Sequence, residues 1–144
     1  MKLAVITDVH ADVHALADAL VQIDRLGCDA IVCAGDVLDW GLFPEETIEL
    51  LRERRIATIR GNHDRWAVQE GRDATGWDLS AGATSWLGSL LPSWERTIEG
   101  VRVAVWHARP GSDLRGVSPG ELTDEGASNL LDGAKAEVLI VGHT

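Results

Sequence analysis

The chain has little of what several protein classes need. Its two cysteines, Cys28 and Cys33, lack Cys-x-x-Cys spacing, and Cys33 sits inside the apolar run "AIVCAG". That pattern excludes a disulfide-stapled scaffold and gives no zinc-finger or thioredoxin-type signature, and it makes Cys33 a small buried apolar residue. No apolar run approaches the ~20 residues that a membrane-spanning helix requires. The N-terminal run Leu3 to Ile6 is too short for the core of a signal peptide, and Asp8 follows close behind it. A cytoplasmic protein with no membrane association is the expectation. Positive charge is scarce: 13 Lys and Arg stand against 23 Asp and Glu, a formal net charge of -10. Sequence-independent binding to nucleic acid depends on Lys and Arg neutralising phosphates, so it is not expected here. An acidic chain can still handle phosphate when bound cations supply the positive charge. Low-complexity segments and fixed-period repeats are also absent.

The 144 residues suit one domain, and 45% hydrophobic with 25% charged residues is an ordinary globular balance. A pattern recurs along that length. The stretches "KLAVITD", "AIVCAGD", "IATIRGNHD", "VRVAVWH" and "EVLIVGH" are each rich in Val, Ile or Ala, and each ends in Asp, Asn or His. Every strand therefore delivers a potential metal ligand at its C-terminal end, the edge at which open α/β sheets bind ligands. Between the early strands lie helices. Asp12 is a good N-cap before Val13, Leu16, Leu20 and Ile23, whose spacing gives one buried face. Pro44-Glu45-Glu46 opens a second helix with Ile48 and Leu51 on its face. Strand-helix-strand-helix-strand predicts a parallel sheet. The pattern then loosens from Asp64 to Trp94, broken by glycines and punctuated by Trp66, Trp77, Trp86 and Trp94, and one or two short helices are expected there. "ERTIEGVRVAVWH" reads as a hairpin turning at Glu99-Gly100, and a last helix is expected over Leu122 to Leu131.

The strand-end residues Asp8, His10, Asp36, Asn62, His63, His107 and His143 mix oxygen and nitrogen ligands without a thiolate. Such a set suits first-row divalent ions, Mn, Fe or Zn, and is too large for one tetrahedral ion. Two ions sharing a carboxylate is the economical reading, with Asp36 the natural bridge. Glycines precede three of these ligands, at Gly35, Gly61 and Gly142, where a missing Cβ permits a tight turn or close approach. Each residue alone has an ordinary explanation: a strand-end Asp capping a turn, a Gly-Asn turn, a core histidine. Five in succession do not.

In order, Asp8-Val-His10, Gly35-Asp36, Gly61-Asn62-His63-Asp64, His107 and Gly142-His143 resemble the motifs of the calcineurin-like metallophosphoesterases, and "VITDVHADVHAL" resembles their compact bacterial and archaeal phosphodiesterase branch. The resemblance covers nearly the whole chain. It implies a metallophosphoesterase-type α/β core of the four-layer sandwich family, here with the second sheet incomplete, as a single domain over residues 1–144 with a cap insert at 65–94. It implies that Asp8 and His10 hold one metal, that Asp36 bridges, and that Asn62, His107 and His143 hold the second, with Mn favoured. His63 would protonate the leaving oxygen and Asp64 would orient its imidazole. The implied activity is hydrolysis of phosphoester bonds by a water that the metal pair activates, a phosphodiesterase before a phosphomonoesterase or protein phosphatase. The rival reading is a non-catalytic scaffold or inactive fragment of the same fold.

The chain departs from the family's pattern in places. Ala11 and Ala108 stand where Gly usually follows the histidine, and Ala would cost strain wherever φ is positive. Asp12 replaces a usual Asn. The last family motif is Gly-His-x-His, and the sequence ends at Gly142-His143-Thr144, so the expectation is a C-terminally incomplete domain. Asp36-x-x-Asp39 matches a family spacing, with Asp39 expected to support a loop. Arg60, Arg65 and Arg109 flank the motifs, and Arg109, close after His107, is the candidate phosphate contact. The tryptophans of 65–94 either line a substrate pocket or pack the cap.

Overall fold

The computed structural model describes residues 1–143. Three short strands, β1 (Leu3–Ile6), β2 (Ala30–Cys33) and β3 (Ala57–Thr58), form a parallel sheet in that order. Helix α1 (Val13–Leu26) connects the first two and α2 (Pro44–Glu53) the next two. Beyond β3 come α3 (Asn62–Glu70) and α4 (Ala81–Gly88). A second three-stranded sheet follows, in which β4 (Ser93–Ile98) and β5 (Val101–Trp106) pair antiparallel and β6 (Val138–Val141) runs parallel to β5 after helix α5 (Asp124–Ala134).

Local chemistry explains these elements. Asp12 caps α1, its carboxylate accepting the Ala15 N–H at 2.9 Å, and Gly27 closes the helix at φ 62°. Pro44, Glu45 and Glu46 begin α2. The β4–β5 turn has Glu99 at φ 51° and Gly100 at φ 87°, the positive pair that a tight hairpin requires. The last helix starts two residues later than the spacing predicts, because Thr123 takes the N-cap and a 3-10 turn occupies Pro119–Glu121.

Alternation along the strands sorts side chains into three layers of core. Ile6, Ile31 and Cys33 face outward from the first sheet onto Leu16, Leu20, Ile48 and Leu51 of α1 and α2. Leu3, Val5, Val32, Ala34 and Ile59 face the opposite way and meet Trp94, Val105 and Ile140 of the second sheet. Ala104, Trp106 and Leu139 leave the far side of that sheet and pack with Ala134 and Ala136 at the end of α5. Helix, sheet, sheet, helix is the four-layer order, and strands covered on both faces explain the nearly continuous apolar runs in the sequence. Cys33 lies within this core, and burial pushes its thiol up to about 12, in keeping with a packing role.

Within the stretch 65–94, helices α3 and α4 pack in the outer helical layer, while Ser93 and Trp94 already belong to β4. Ala67, Ala83 and Leu87 of α3 and α4 join the same core as α1 and α2, with Val68 and Trp86 packed on it. The turn after β3 becomes helical at once, so that Asn62 and His63 are the first residues of α3. Thr144, where the Gly-His-x-His pattern breaks off, lies outside the described residues.

Candidate metal centre

Every strand of the two sheets that runs parallel ends beside one spot. The loops after β1 and β2 are laced together there: Asp8 N–H donates to Gly35 O at 3.0 Å, His10 N–H to Asp36 O at 3.0 Å, and Ala11 N–H to Val37 O at 2.7 Å. This lacing demands an unusual backbone. Asp8, His10, Ala11, Asp36 and His143 all have φ between 50° and 68°, a region costly for residues with a Cβ and found where function requires it. Ala11 therefore carries the strain anticipated for it, whereas Ala108 does not adopt positive φ. Two glycines fit by necessity. A Cβ at Gly61 would collide with the Asp36 carboxylate, and one at Gly142 would collide with Thr7 Oγ1.

Two ligand clusters result, one of Asp8, His10 and Asp36 and one of Asp36, His107 and His143, with the ligand atoms of each within 4.8 Å of one another. Asp36 belongs to both. Asn62 Oδ1 joins the second cluster, 3.1 Å from His107 Nε2. The predicted residues Asp8, His10, Asp36, Asn62, His107 and His143 are thus brought together.

Hydrogen bonding settles which lone pairs face inward. His107 donates its Nδ1 proton to Ala34 O at 2.8 Å, so Nε2 of the neutral ring is bare. That nitrogen faces Asp36 Oδ2, Asn62 Oδ1 and His143 Nδ1, each at 3.1 Å. His10 likewise donates Nδ1–H to Leu38 O at 2.8 Å and turns Nε2 toward Asp8 Oδ1 at 3.9 Å. Acceptors converging on acceptors make a donor set that divalent cations fit, with each histidine oriented by a backbone carbonyl behind it. Burial favours neutral forms of both Asp36 and His107, but their mutual hydrogen bond outweighs it, holding Asp36 below the usual carboxylate range and His107 above the usual imidazole range. Asp8 is fixed from the other side, Oδ2 accepting Thr7 Oγ1–H at 2.5 Å and His143 N–H at 3.1 Å.

Asp64 is a correction. Its carboxylate does not orient the His63 ring. Oδ1 accepts the Val37 and Leu38 N–H groups at 2.9 and 3.3 Å, and Oδ2 accepts Gly61 N–H at 2.9 Å. It therefore locks the β2 loop to the start of α3. Burial pushes its acid up to about 6 even though these donors pull the other way. The partner of His63 is Asp39, whose Oδ2 meets His63 Nδ1 while Oδ1 accepts Ala74 N–H at 2.6 Å. Asp39 is 1% exposed. It does support a loop, as expected, and it orients the imidazole as well; the Asp36-x-x-Asp39 spacing was the available signal.

Arg109 is a second correction. Its guanidinium donates through Nε to Arg115 O and through Nη2 to Gly116 O and to both oxygens of Glu121 at 2.9 and 3.0 Å, so it fastens the 109–121 loop instead of standing free beside His107. Arg65 is likewise engaged, gripping Asp113 at 2.6 and 3.1 Å.

The sequence and fold have known relatives. Residues 1–144 match the family model described as the calcineurin-like phosphoesterase superfamily domain. An uncharacterized protein of Methanocaldococcus jannaschii is 30% identical over 122 residues, covering 75% of this chain and 49% of that protein. The crystal structure of a metallophosphoesterase from Sphaerobacter thermophilus superimposes with a TM-score of 0.76 at 28% identity, over 99% of this chain and 60% of that one. A hypothetical protein from Pyrococcus horikoshii OT3 superimposes with a TM-score of 0.79 at 15% identity, over 96% of this chain and 68% of that one, and shows the fold alone. The chain spans about half the length of the curated relative it matches.

Proposed function

The chain belongs to the calcineurin-like phosphoesterase superfamily, and from that membership we propose that it hydrolyses phosphoester bonds, phosphodiesters in preference to monoesters, at a pair of divalent metal ions, Mn favoured. The observation that carries this reading is the sharing of Asp36 between two clusters of inward-facing lone pairs. Asp8 and His10 would hold one ion, Asn62, His107 and His143 the other, with Asp36 between them. Divalent ions at paired sites bring the pKa of water toward neutrality and offset phosphoryl charge. Of the arginines that flank the motifs, Arg65 and Arg109 are paired with Asp113 and Glu121, while Arg60 lines a pocket with Arg65 and His107.

The protein's own groups account for the remaining steps. His63 stands at the N-terminus of α3, its backbone N–H donating to Asp36 Oδ1 at 3.0 Å. That bond ties the ring's placement to the carboxylate shared by both clusters. With Nδ1 directed at Asp39, Nε2 is the nitrogen left to deliver a proton to the departing oxygen. Asp39 holds the ring in place before and after transfer. Water adds its oxygen to phosphorus and gives up a proton to solvent, the bond to the leaving oxygen breaks, and the proton from His63 completes the alcohol, leaving a neutral imidazole that solvent reprotonates. We place the protein in the cytoplasm, and no helix among the described residues is long and apolar enough to cross a membrane.

The test is hydrolysis of bis-nitrophenyl phosphate against nitrophenyl phosphate, with and without Mn²⁺, using His63→Ala as control. Manganese-dependent cleavage of the diester that disappears in the variant supports the reading. No cleavage of either ester by a folded, manganese-loaded chain favours the scaffold reading.

A further inference from the structure

Two tryptophans border His63. The Trp40 ring centre lies 5.0 Å from the imidazole, inclined by 67°, and 4.2 Å from His10. The Trp66 ring centre lies 5.0 Å from the same imidazole at 70°. Their surroundings differ. Trp66 is 36% exposed and carries the Arg65 guanidinium 5.8 Å above its ring. Trp40 is 68% exposed, so most of its indole faces solvent. Its backbone is held at φ 64°, directly after Asp39 at φ 78°. A bulky residue rarely takes up that conformation, and here it holds a large flat apolar surface out of the core beside the residue assigned to the leaving oxygen.

Packing His63 does not require an exposed ring; a buried one would serve better. Charge recognition does not explain it either. The nearby arginine is bound to Asp113, and the chain as a whole is acidic, with a net charge of -10. What this flank of the site offers a substrate is an aromatic face. We propose that Trp40 is a stacking platform for a planar aromatic ring on the leaving-group side, so that the substrates are phosphoesters of nucleosides, with the base lying against the indole. Substrate class here rests on the hydrolase reading above, in which His63 faces the leaving group. Base stacking on an aromatic side chain is sequence-tolerant because every base has a π-face, so the platform selects for a base without selecting which.

The probes are adenosine 5′-monophosphate and ribose 5-phosphate, which share the phosphate and sugar and differ in the base. Binding is measured by calorimetry on the full chain, with Mn²⁺ and again in excess chelator. Stacking of about 1–3 kcal/mol per base predicts that the nucleotide binds roughly 5- to 150-fold more tightly than the sugar phosphate. Trp40→Ala is expected to erase that difference while leaving ribose 5-phosphate binding in place, and Trp40→Phe to keep most of it. Thermal unfolding of each variant establishes that it is folded. Equal binding of the two probes by the parent chain, no binding of the nucleotide, or parallel loss of both probes in Trp40→Ala overturns the platform. A base preference in a chain that cleaves no ester would sink the hydrolase reading and leave the platform standing; cleavage without a base preference would do the reverse.

Discussion

His63 turns its Nδ1 to Asp39, 24 positions earlier in the chain, and not to Asp64, its immediate neighbour. The two acids have exchanged the roles that adjacency suggests: the distant one holds the ring, and the near one holds the backbone.

Asp39→Asn isolates the first role, because the amide oxygen can still accept Ala74 N–H. Steady-state kinetics on a phosphodiester should show kcat reduced by roughly 10²-fold or more, with KM nearly unchanged and the thermal midpoint close to that of the parent. A fall in KM-dependent terms alone, or a variant as active as the parent, would remove Asp39 from the mechanism.

Asp64→Ala isolates the second. It strips three buried N–H groups, of Val37, Leu38 and Gly61, of the carboxylate that accepts them. An unsatisfied buried donor costs about 1–3 kcal/mol, so urea denaturation should show a loss of about 3 kcal/mol or more. Asp64→Asn, which keeps one acceptor oxygen, should lose less. A variant of parental stability would show that water replaces the carboxylate.

Because Asp36 belongs to both ligand clusters, its removal should affect every bound ion. Manganese counted on the purified chain is expected at two per chain for the parent, and close to zero for Asp36→Ala. Asp8→Ala and His143→Ala should each weaken one site and spare the other. A parent chain that binds one ion would confine the centre to a single cluster.

Acid should loosen the loop that Arg109 fastens. The backbone N–H of Ser118, then Arg109, hold the Glu121 carboxyl down at about 2, against an ordinary value of 4.5. A carboxyl depressed in the folded state contributes its stabilisation fully above its unfolded pKa and loses it as pH falls toward the folded one. The gap in unfolding midpoint between the parent and Glu121→Gln should therefore be constant above about pH 4.5 and shrink between about 4.5 and 2. A gap that does not change with pH would mean that the charge of Glu121 plays no part.

Much of this was readable from residue order. Five apolar runs, each ending in Asp, Asn or His, placed the candidate ligands Asp8, His10, Asp36, Asn62, His107 and His143, because parallel strands deliver their C-terminal ends to one edge whatever the loops do. The unbroken apolar run "AIVCAG" fits a strand buried on both faces, with Val32 on one side and Cys33 on the other. Asp12, Pro44 and Glu99-Gly100 announced two helix starts and a turn through short-range chemistry that needs only neighbours in the chain.

What depended on direction in space was not readable. Once α3 begins at Asn62, successive side chains leave the axis about 100° apart, so Asp64 cannot face the ring that His63 presents, and it points back to the β2 loop. Asp39 reaches that ring only because the left-handed residues after β2 swing the loop over α3. Arg109 sits near His107 in sequence, yet Glu121 captures it across a loop whose closure no local pattern specifies. Which residues gather at the sheet edge is a matter of strand order, and the sequence alone determined it. Which of them touch, and through which atom, is a matter of helix phase and loop closure, and only the tertiary structure decided that.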